Sequence, residues 1–210
     1  MGCLRILVAD DHALLVEAFV KLLEPKYDVV GTAADGRELL IEAERLNPDI
    51  ILLDLSMPKL NGLDAAHQIK QKRPDAKLIF LTVNEDPGLV AEAFRLGASG
   101  YLLKNSAASE LFQAIQEVSM GRAYVTPMVA QGMLESFVQD PGGRTVSKLT
   151  VRQREILQLL AEGNSMKQAA AVLNVAPRTV AFHKYRIMKR LGLTSNAELI
   201  QLAIREGMLG

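Results

Sequence analysis

The chain has 210 residues, 49 % hydrophobic and 23 % charged, the proportions of an ordinary globular protein of one or two domains. No apolar run approaches the roughly 20 residues of a membrane span. The run Ile6 to Ala9 is too short for a cleavable leader and ends in acids, and the single cysteine, Cys3, closes no internal disulfide. A cytoplasmic protein with no membrane partner is therefore expected. The formal net charge of +0 hides an asymmetry: residues 144–210 hold 11 Lys and Arg against 4 Asp and Glu, whereas residues 1–143 hold 13 against 20. A basic C-terminal portion points to a polyanion, nucleic acid first, with a solubility face as the plainer alternative.

In chain order, strand and helix signals alternate from residue 4 to 120, which predicts βαβ units around a parallel sheet. Arg5-Ile6-Leu7-Val8-Ala9 reads as a buried strand and runs into Asp10-Asp11. A helix over about 12–24 carries Leu15, Phe19 and Leu22 on one stripe, and Pro25 ends it. Residues 28–33 form a second strand, and 36–46 a helix with Leu39, Leu40 and Ala43 inward. Ile50-Ile51-Leu52-Leu53 is an apolar run of the kind buried on both faces of a parallel sheet, and Asp54 stands at its end. A helix over about 63–72, a strand over 77–83 ending near Thr82, and a helix over 87–96 follow. Gly97 suits the C′ position of that last helix. A strand over 100–103 ends in Lys104, and Ser109 is placed as the cap of a helix to about Met120. Five strands and five helices make a doubly wound, flavodoxin-like α/β sheet.

Parallel strands bring their carboxyl ends to one edge, where open α/β sheets hold their chemistry. Asp10, Asp11, Asp54, Thr82 and Lys104 should converge there. Alone, an Asp at a strand end is as readily a turn or cap residue; three such acids together repel and call for a cation. Hard oxygen ligands suit Mg²⁺, lysine pairs with phosphate, and a carboxylate is a known nucleophile for phosphoryl transfer. No Gly-rich phosphate loop follows any strand, which argues against a nucleotide-binding sheet.

The order Asp10-Asp11, Asp54, Thr82, Lys104 resembles the receiver domain of two-component response regulators over about residues 4–120. The resemblance implies that Asp10, Asp11, Asp54 and the backbone carbonyl of Ser56 bind Mg²⁺. It implies that Asp54 accepts phosphate from a histidine kinase, that Lys104 contacts the phosphoryl group, and that Thr82 and Tyr101 form a switch pair, Tyr101 turning inward behind Thr82. Asn105 stands where many receivers have proline, which leaves the Lys104–Asn105 peptide geometry open. An aspartyl phosphatase is the enzymatic rival, but such enzymes place an acid two residues after the nucleophile. That position is Ser56, so no turnover of external substrates is expected.

From Leu149 the period is helical throughout. Thr150 and Ser165 are placed as caps of two helices, Pro177 opens a third that Gly192 stops, and a fourth runs from near Ser195 to Gly207. On the third helix Val180, His183, Ile187 and Leu191 face inward, His183 as a hydrogen-bonded structural residue. Arg178, Ala181, Phe182, Tyr185, Arg186 and Lys189 face outward, where such side chains meet phosphates and base edges. Packing of Phe182 against the linker or the first domain is the plainer alternative. The whole segment is similar to the LuxR-type helix–turn–helix domain, and the two parts together resemble the NarL/FixJ class of response regulators. This implies that Lys167 touches backbone phosphate, that Thr179 belongs with the DNA-binding residues named above, and that Ala197, Ile200 and Gln201 pair two copies. Ala181, Met166 and Ala169 depart from the residues most frequent in that family.

The expected organisation is a receiver over 1–121, a linker with a short helix over 122–147, and a DNA-binding domain over 148–210. The expected partners are a histidine kinase, double-stranded DNA, and a second copy when phosphorylated or on DNA. A regulator that binds DNA without phosphorylation, its receiver a scaffold, is the alternative.

Overall fold

The computed structural model describes residues 3–106, 108–139, 149–205 and 208–209. The first half alternates β1 Arg5–Ala9, α1 Ala13–Leu23, β2 Asp28–Ala33, α2 Gly36–Leu46, β3 Ile50–Leu53, α3 Gly62–Lys72, β4 Lys77–Thr82, α4 Pro87–Arg95, β5 Gly100–Leu103 and α5 Ala108–Ser119. Next come β6 Tyr124–Val125 and α6 Pro127–Gln139, then α7 Val151–Ala161, α8 Met166–Val172, α9 Pro177–Leu191 and α10 Asn196–Arg205.

All strand pairings are parallel, in the order β2-β1-β3-β4-β5-β6. Apolar residues alternate between the faces as the two-residue period of a strand requires. Leu7, Ala9, Ile51, Leu53, Leu78, Phe80 and Tyr101 pack on one face with Leu39, Ala66 and Val90. Ile6, Val8, Ile50, Leu52, Ile79 and Leu102 pack on the other with Leu23, Ile115 and Val118. A strand covered on both sides has no polar face, so β3 reads as an unbroken apolar run.

The sheet has six strands where the sequence predicts five. Tyr124 and Val125, inside the segment read as linker, pair with Gly100 and Tyr101. Two residues carry no periodicity of their own; β6 forms because the edge of β5 is there to receive it. Behind it, Val129 of α6 is buried in the apolar cluster that holds Val90 and Tyr101. A second difference is at α5, which begins at Ala108, so Ser109 lies inside the first turn.

The caps of the C-terminal unit are as expected. Thr150 and Ser165 each form a reciprocal capping box, with Gln153 and Gln168 respectively. Gly192 stops α9 in the left-handed conformation. The unit has two small cores, one around Leu157, Ile187, Leu199 and Ala203 and one around Ile156, Leu159, Ala169, Ala170 and Val180. Ala169 is fully buried against α7, so the small residue is accommodated by close approach. The Asp140-Pro141-Gly142-Gly143 break and the end of the fourth helix at Gly207 lie outside the described residues. No helix among the described residues is long and apolar enough to cross a membrane.

Candidate functional site

The strand order reverses between β1 and β3, and the carboxyl ends of these neighbours open on one crevice. Asp10 follows β1 directly and Asp54 follows β3 directly, each held by its backbone N–H: Asp10 donates to the Ala33 carbonyl at 3.0 Å, Asp54 to the Ala9 carbonyl at 2.9 Å. Lys104 follows β5 in the same way. Its ammonium reaches between the two acids, 2.7 Å from Asp10 Oδ2 and 2.9 Å from Asp54 Oδ2, with 9 % of its side chain exposed. Burial pushes the Asp54 carboxyl above its ordinary range, against the pull of Lys104. For Lys104 burial works to lower the value, but the bonds to Asp10 and Asp54 prevail and hold the ammonium above its ordinary value.

Asp11 is more exposed and pairs with His12, whose Nδ1 lies 3.0 Å from Asp11 Oδ1 and 3.1 Å from Asp10 Oδ1. Oxygens of Asp10, Asp11 and Asp54 and a His12 ring nitrogen all lie within 4.8 Å of one another. The donor set fits Mg²⁺: three carboxylates with a single ammonium between them leave the pocket in need of positive charge. His12 is a neighbour that sequence reasoning missed; its place next to the acid pair was the available signal.

The loop that follows Asp54 is tightly fastened. Gly62 approaches so close that a Cβ there would lie 2.0 Å from the Asp54 carbonyl oxygen, and one at Gly36 would lie 1.9 Å from that of Leu60. Lys59 takes a left-handed φ of 64°, a conformation costing about 1–2 kcal/mol outside glycine.

Thr82 and Tyr101 meet at Asn84, in the loop that opens α4. The Thr82 hydroxyl accepts from the Asn84 N–H at 3.1 Å, and the Tyr101 hydroxyl donates to the Asn84 carbonyl at 2.8 Å. Tyr101 is fully buried beside Phe80, and burial raises its hydroxyl pKa. Tyr101 lies inward in this structure, its ring in an apolar cage and its hydroxyl on a carbonyl acceptor. The Lys104–Asn105 peptide is trans, as are the other peptide bonds between described residues.

The second surface lies on the C-terminal unit. Val180 and Ile187 of α9 are fully buried, while Arg178, Phe182, Tyr185, Arg186 and Lys189 face outward; Thr179 and Ala181 are half-buried and Lys167 on α8 is exposed. Phe182 is 58 % exposed and Tyr185 62 %. The Phe182 ring meets His183 edge-on, and Arg186 lies over it. His183 lacks the hydrogen bond expected of it at Nδ1, which is buried and without a partner. Burial, with Arg152 and Arg186 nearby, lowers its pKa. On α10, Ala197, Ile200, Gln201 and Ile204 form an exposed stripe.

Sequence reasoning also missed the polar face of α7, where Arg154, Glu155 and Gln158 are buried against the first unit. Their spacing of three and four residues was visible, but polar residues so placed read as a solvated face.

Residues 6–116 match the family described as the response regulator receiver domain. Residues 147–203 match the bacterial regulatory proteins of the luxR family. The chain is a two-component response regulator, a receiver domain joined to a LuxR-type DNA-binding domain. It is 33 % identical to the response regulator GacA of Pseudomonas aeruginosa, over 98 % of each chain. The Salmonella typhimurium RcsB response regulator is similar in structure, with a TM-score of 0.66 and 26 % identity, covering 96 % of this chain and 97 % of that one. A structure of two RcsB dimers bound to two parallel DNAs matches with a TM-score of 0.60 and 25 % identity, over 95 % and 97 % of the chains.

Proposed function

We propose that Asp54 is the phosphoryl acceptor of this response regulator, and that its phosphorylation by a histidine kinase switches dimerisation and sequence-specific DNA binding. The observation that carries the reading is the meeting of Asp10, Asp54 and Lys104 at the sheet's switch point, with Asp11 beside them. A carboxylate oxygen of Asp54 attacks the phosphorus of the kinase phosphohistidine; the O–P bond forms, the N–P bond breaks, and the imidazole leaves with the electron pair. Asp10, Asp11, Asp54 and the Ser56 carbonyl would hold Mg²⁺, which supplies positive charge to the phosphoryl oxygens. Lys104 leaves its bridge between Asp10 and Asp54 to pair with the new dianion, and the Thr82 hydroxyl turns from the Asn84 N–H toward it. Tyr101, already inside, holds the Asn84 carbonyl, so the shift of Thr82 is felt at α4.

At the other end, Lys167, Arg178, Thr179, Ala181, Phe182, Tyr185, Arg186 and Lys189 are the DNA-facing residues. The α10 stripe joins two copies, whose α9 helices then reach half-sites about 10 base pairs apart. The RcsB dimers on DNA support that arrangement by similarity. The reading extends to a cytoplasmic location and to an absence of turnover on external substrates.

DNA affinity and oligomeric state of the wild type and Asp54→Ala, each with and without Mg²⁺ and a small phosphodonor, test the proposal on DNA chosen by unbiased selection. Wild type alone should gain affinity and dimerise. Equal binding by both, with no response, would leave the receiver as a scaffold for a phosphorylation-independent regulator.

A further inference from the structure

A set of hydrogen bonds and ion pairs joins the two units through α7 and its C-cap, Glu162. Gln158 is at the centre and is 0 % exposed. Its Nε2 donates to the Met57 carbonyl at 2.7 Å and to Glu162 Oε1 at 2.8 Å. Its Oε1 accepts from the Asn61 N–H at 2.8 Å and from Asn61 Nδ2 at 3.1 Å. Both donor hydrogens and both acceptor positions of the amide are used. Met57 and Asn61 belong to the loop after Asp54, so the DNA-binding unit grips the backbone of the phosphoacceptor loop. Glu162 adds a bond from the Lys59 N–H at 3.0 Å, which reaches it from the left-handed conformation of Lys59.

One helical turn earlier, on the same face of α7, Arg154 makes the second grip. Its guanidinium donates to Asp64 of α3, Nε at 2.8 Å and Nη2 at 2.6 Å from Oδ1, and through Nη1 to Glu92 of α4 at 2.9 Å. Asp64 is fully buried. The loop that opens α4 carries Asn84, where Thr82 and Tyr101 are anchored. A shift of Thr82 therefore moves the helix that holds one arm of Arg154, while a charge arriving on Asp54 moves the loop that Gln158 holds.

The outward side chains of α9 and the α10 stripe take no part in these contacts and remain exposed. A receiver that masked the recognition helix would bury it, and this one does not. We infer that Gln158 and Arg154 are positioning residues that carry the state of the phosphoacceptor loop and of α4 to the DNA-binding unit by direct contact, with the DNA-facing surface left open throughout. The contact is a coupler rather than a cover. Its members are polar, so each regains water when the units part, which suits a contact made and broken in a signalling cycle. Because coupling is reciprocal, DNA bound at α9 also alters cation affinity at the acid pocket.

The inference rests on the phosphorylation reading, and one experiment separates the two. Full-length wild type, Gln158→Glu and Arg154→Ala are compared for DNA affinity before and after phosphodonor treatment, for phosphoryl incorporation, and for Mg²⁺ affinity with and without DNA. Gln158→Glu keeps the shape but turns both donor positions into acceptors facing the Met57 carbonyl and Glu162. Arg154→Ala adds no charge and carries the test alone if the first variant misfolds. The expected result is that both variants take up phosphate and bind DNA at the basal level of wild type. They should lose the gain of about 5–150-fold typical of such coupling, together with the effect of DNA on Mg²⁺ affinity. Variants that bind DNA before treatment as tightly as phosphorylated wild type would make the contact a mask and overturn the inference. So would variants that respond as wild type does, while leaving the phosphorylation reading intact. A wild type that shows no response would overturn both.

Discussion

Helices α7 and α9 belong to one small unit and break the usual burial rule in opposite directions. The first buries polar groups, Arg154, Glu155 and Gln158, and the second exposes aromatic ones, Phe182 and Tyr185. A buried amide is tolerable only when fully bonded, and Gln158 is fully bonded, to Met57 and Asn61 of the first unit and to Glu162 of its own. An exposed aromatic beside Arg186 gives a flat, partly polar surface of the kind that nucleic acid accepts. The departures from the rule mark the two surfaces through which the unit deals with the rest of the system: α7 faces the receiver and α9 faces outward.

The difference is sharpened most strongly within α9 itself. Ile187→Ala, in the core of the unit, should cost about 2–5 kcal/mol of stability, read by urea denaturation. Phe182→Ala, five residues earlier on the outer face, should change stability by less than about 0.5 kcal/mol while weakening DNA binding. A Phe182 variant that unfolds the unit would show the ring to be structural. Salt comes next. Between about 0.1 and 1 M, exposed charges are screened and buried ones far less, so DNA affinity should collapse while the α7 contact keeps the molecule at its closed radius by X-ray scattering. Parting of the units at the same salt at which DNA is released would erase the distinction between the two helices.

A smaller effect is expected from Arg178→Ala, which should lower the dependence of log affinity on log salt by about one unit if Arg178 meets a phosphate. The smallest concerns His183. Its folded pKa is depressed by burial and by Arg152 and Arg186, so the unfolded chain binds a proton more readily. The stability this contributes is present above the ordinary histidine range and is lost as pH falls through it. The unfolding midpoint should drop between pH about 7.5 and about 5.5, and His183→Gln should flatten the curve. A midpoint that rises on acidification would reverse the assignment.

The sheet was legible because its cause is local: Ile50 to Leu53 are apolar without a break, and acids stop β1 and β3 at the edge where they meet. The bounds of α2 and the caps Thr150 and Ser165 were legible for the same reason, since a cap is satisfied by residues three positions away. What stayed hidden is what one part of the chain supplies to another. Nothing in Tyr124-Val125 announces a strand until β5 offers its edge. Nothing in Gln158 distinguishes it from a solvated glutamine until Met57 and Asn61 arrive, about a hundred positions away in sequence. The inward ring of Tyr101 depends on a cage built by β4, α4 and α6.

The sixth strand also bears on how this protein is to be dissected. The Thr126 and Tyr124 N–H groups bond the carbonyls of Tyr101 and Ser99, and the Leu103 N–H is taken up by the Thr126 hydroxyl. A fragment ending at residue 121, the boundary read from the sequence, would strip these partners from β5 and uncover the site of Val129. It would present a bare, apolar strand edge, the template on which chains add to one another and precipitate. Carrying the fragment on through α6 keeps that edge closed, so solubility, more than sequence similarity, will report where the first folded unit ends.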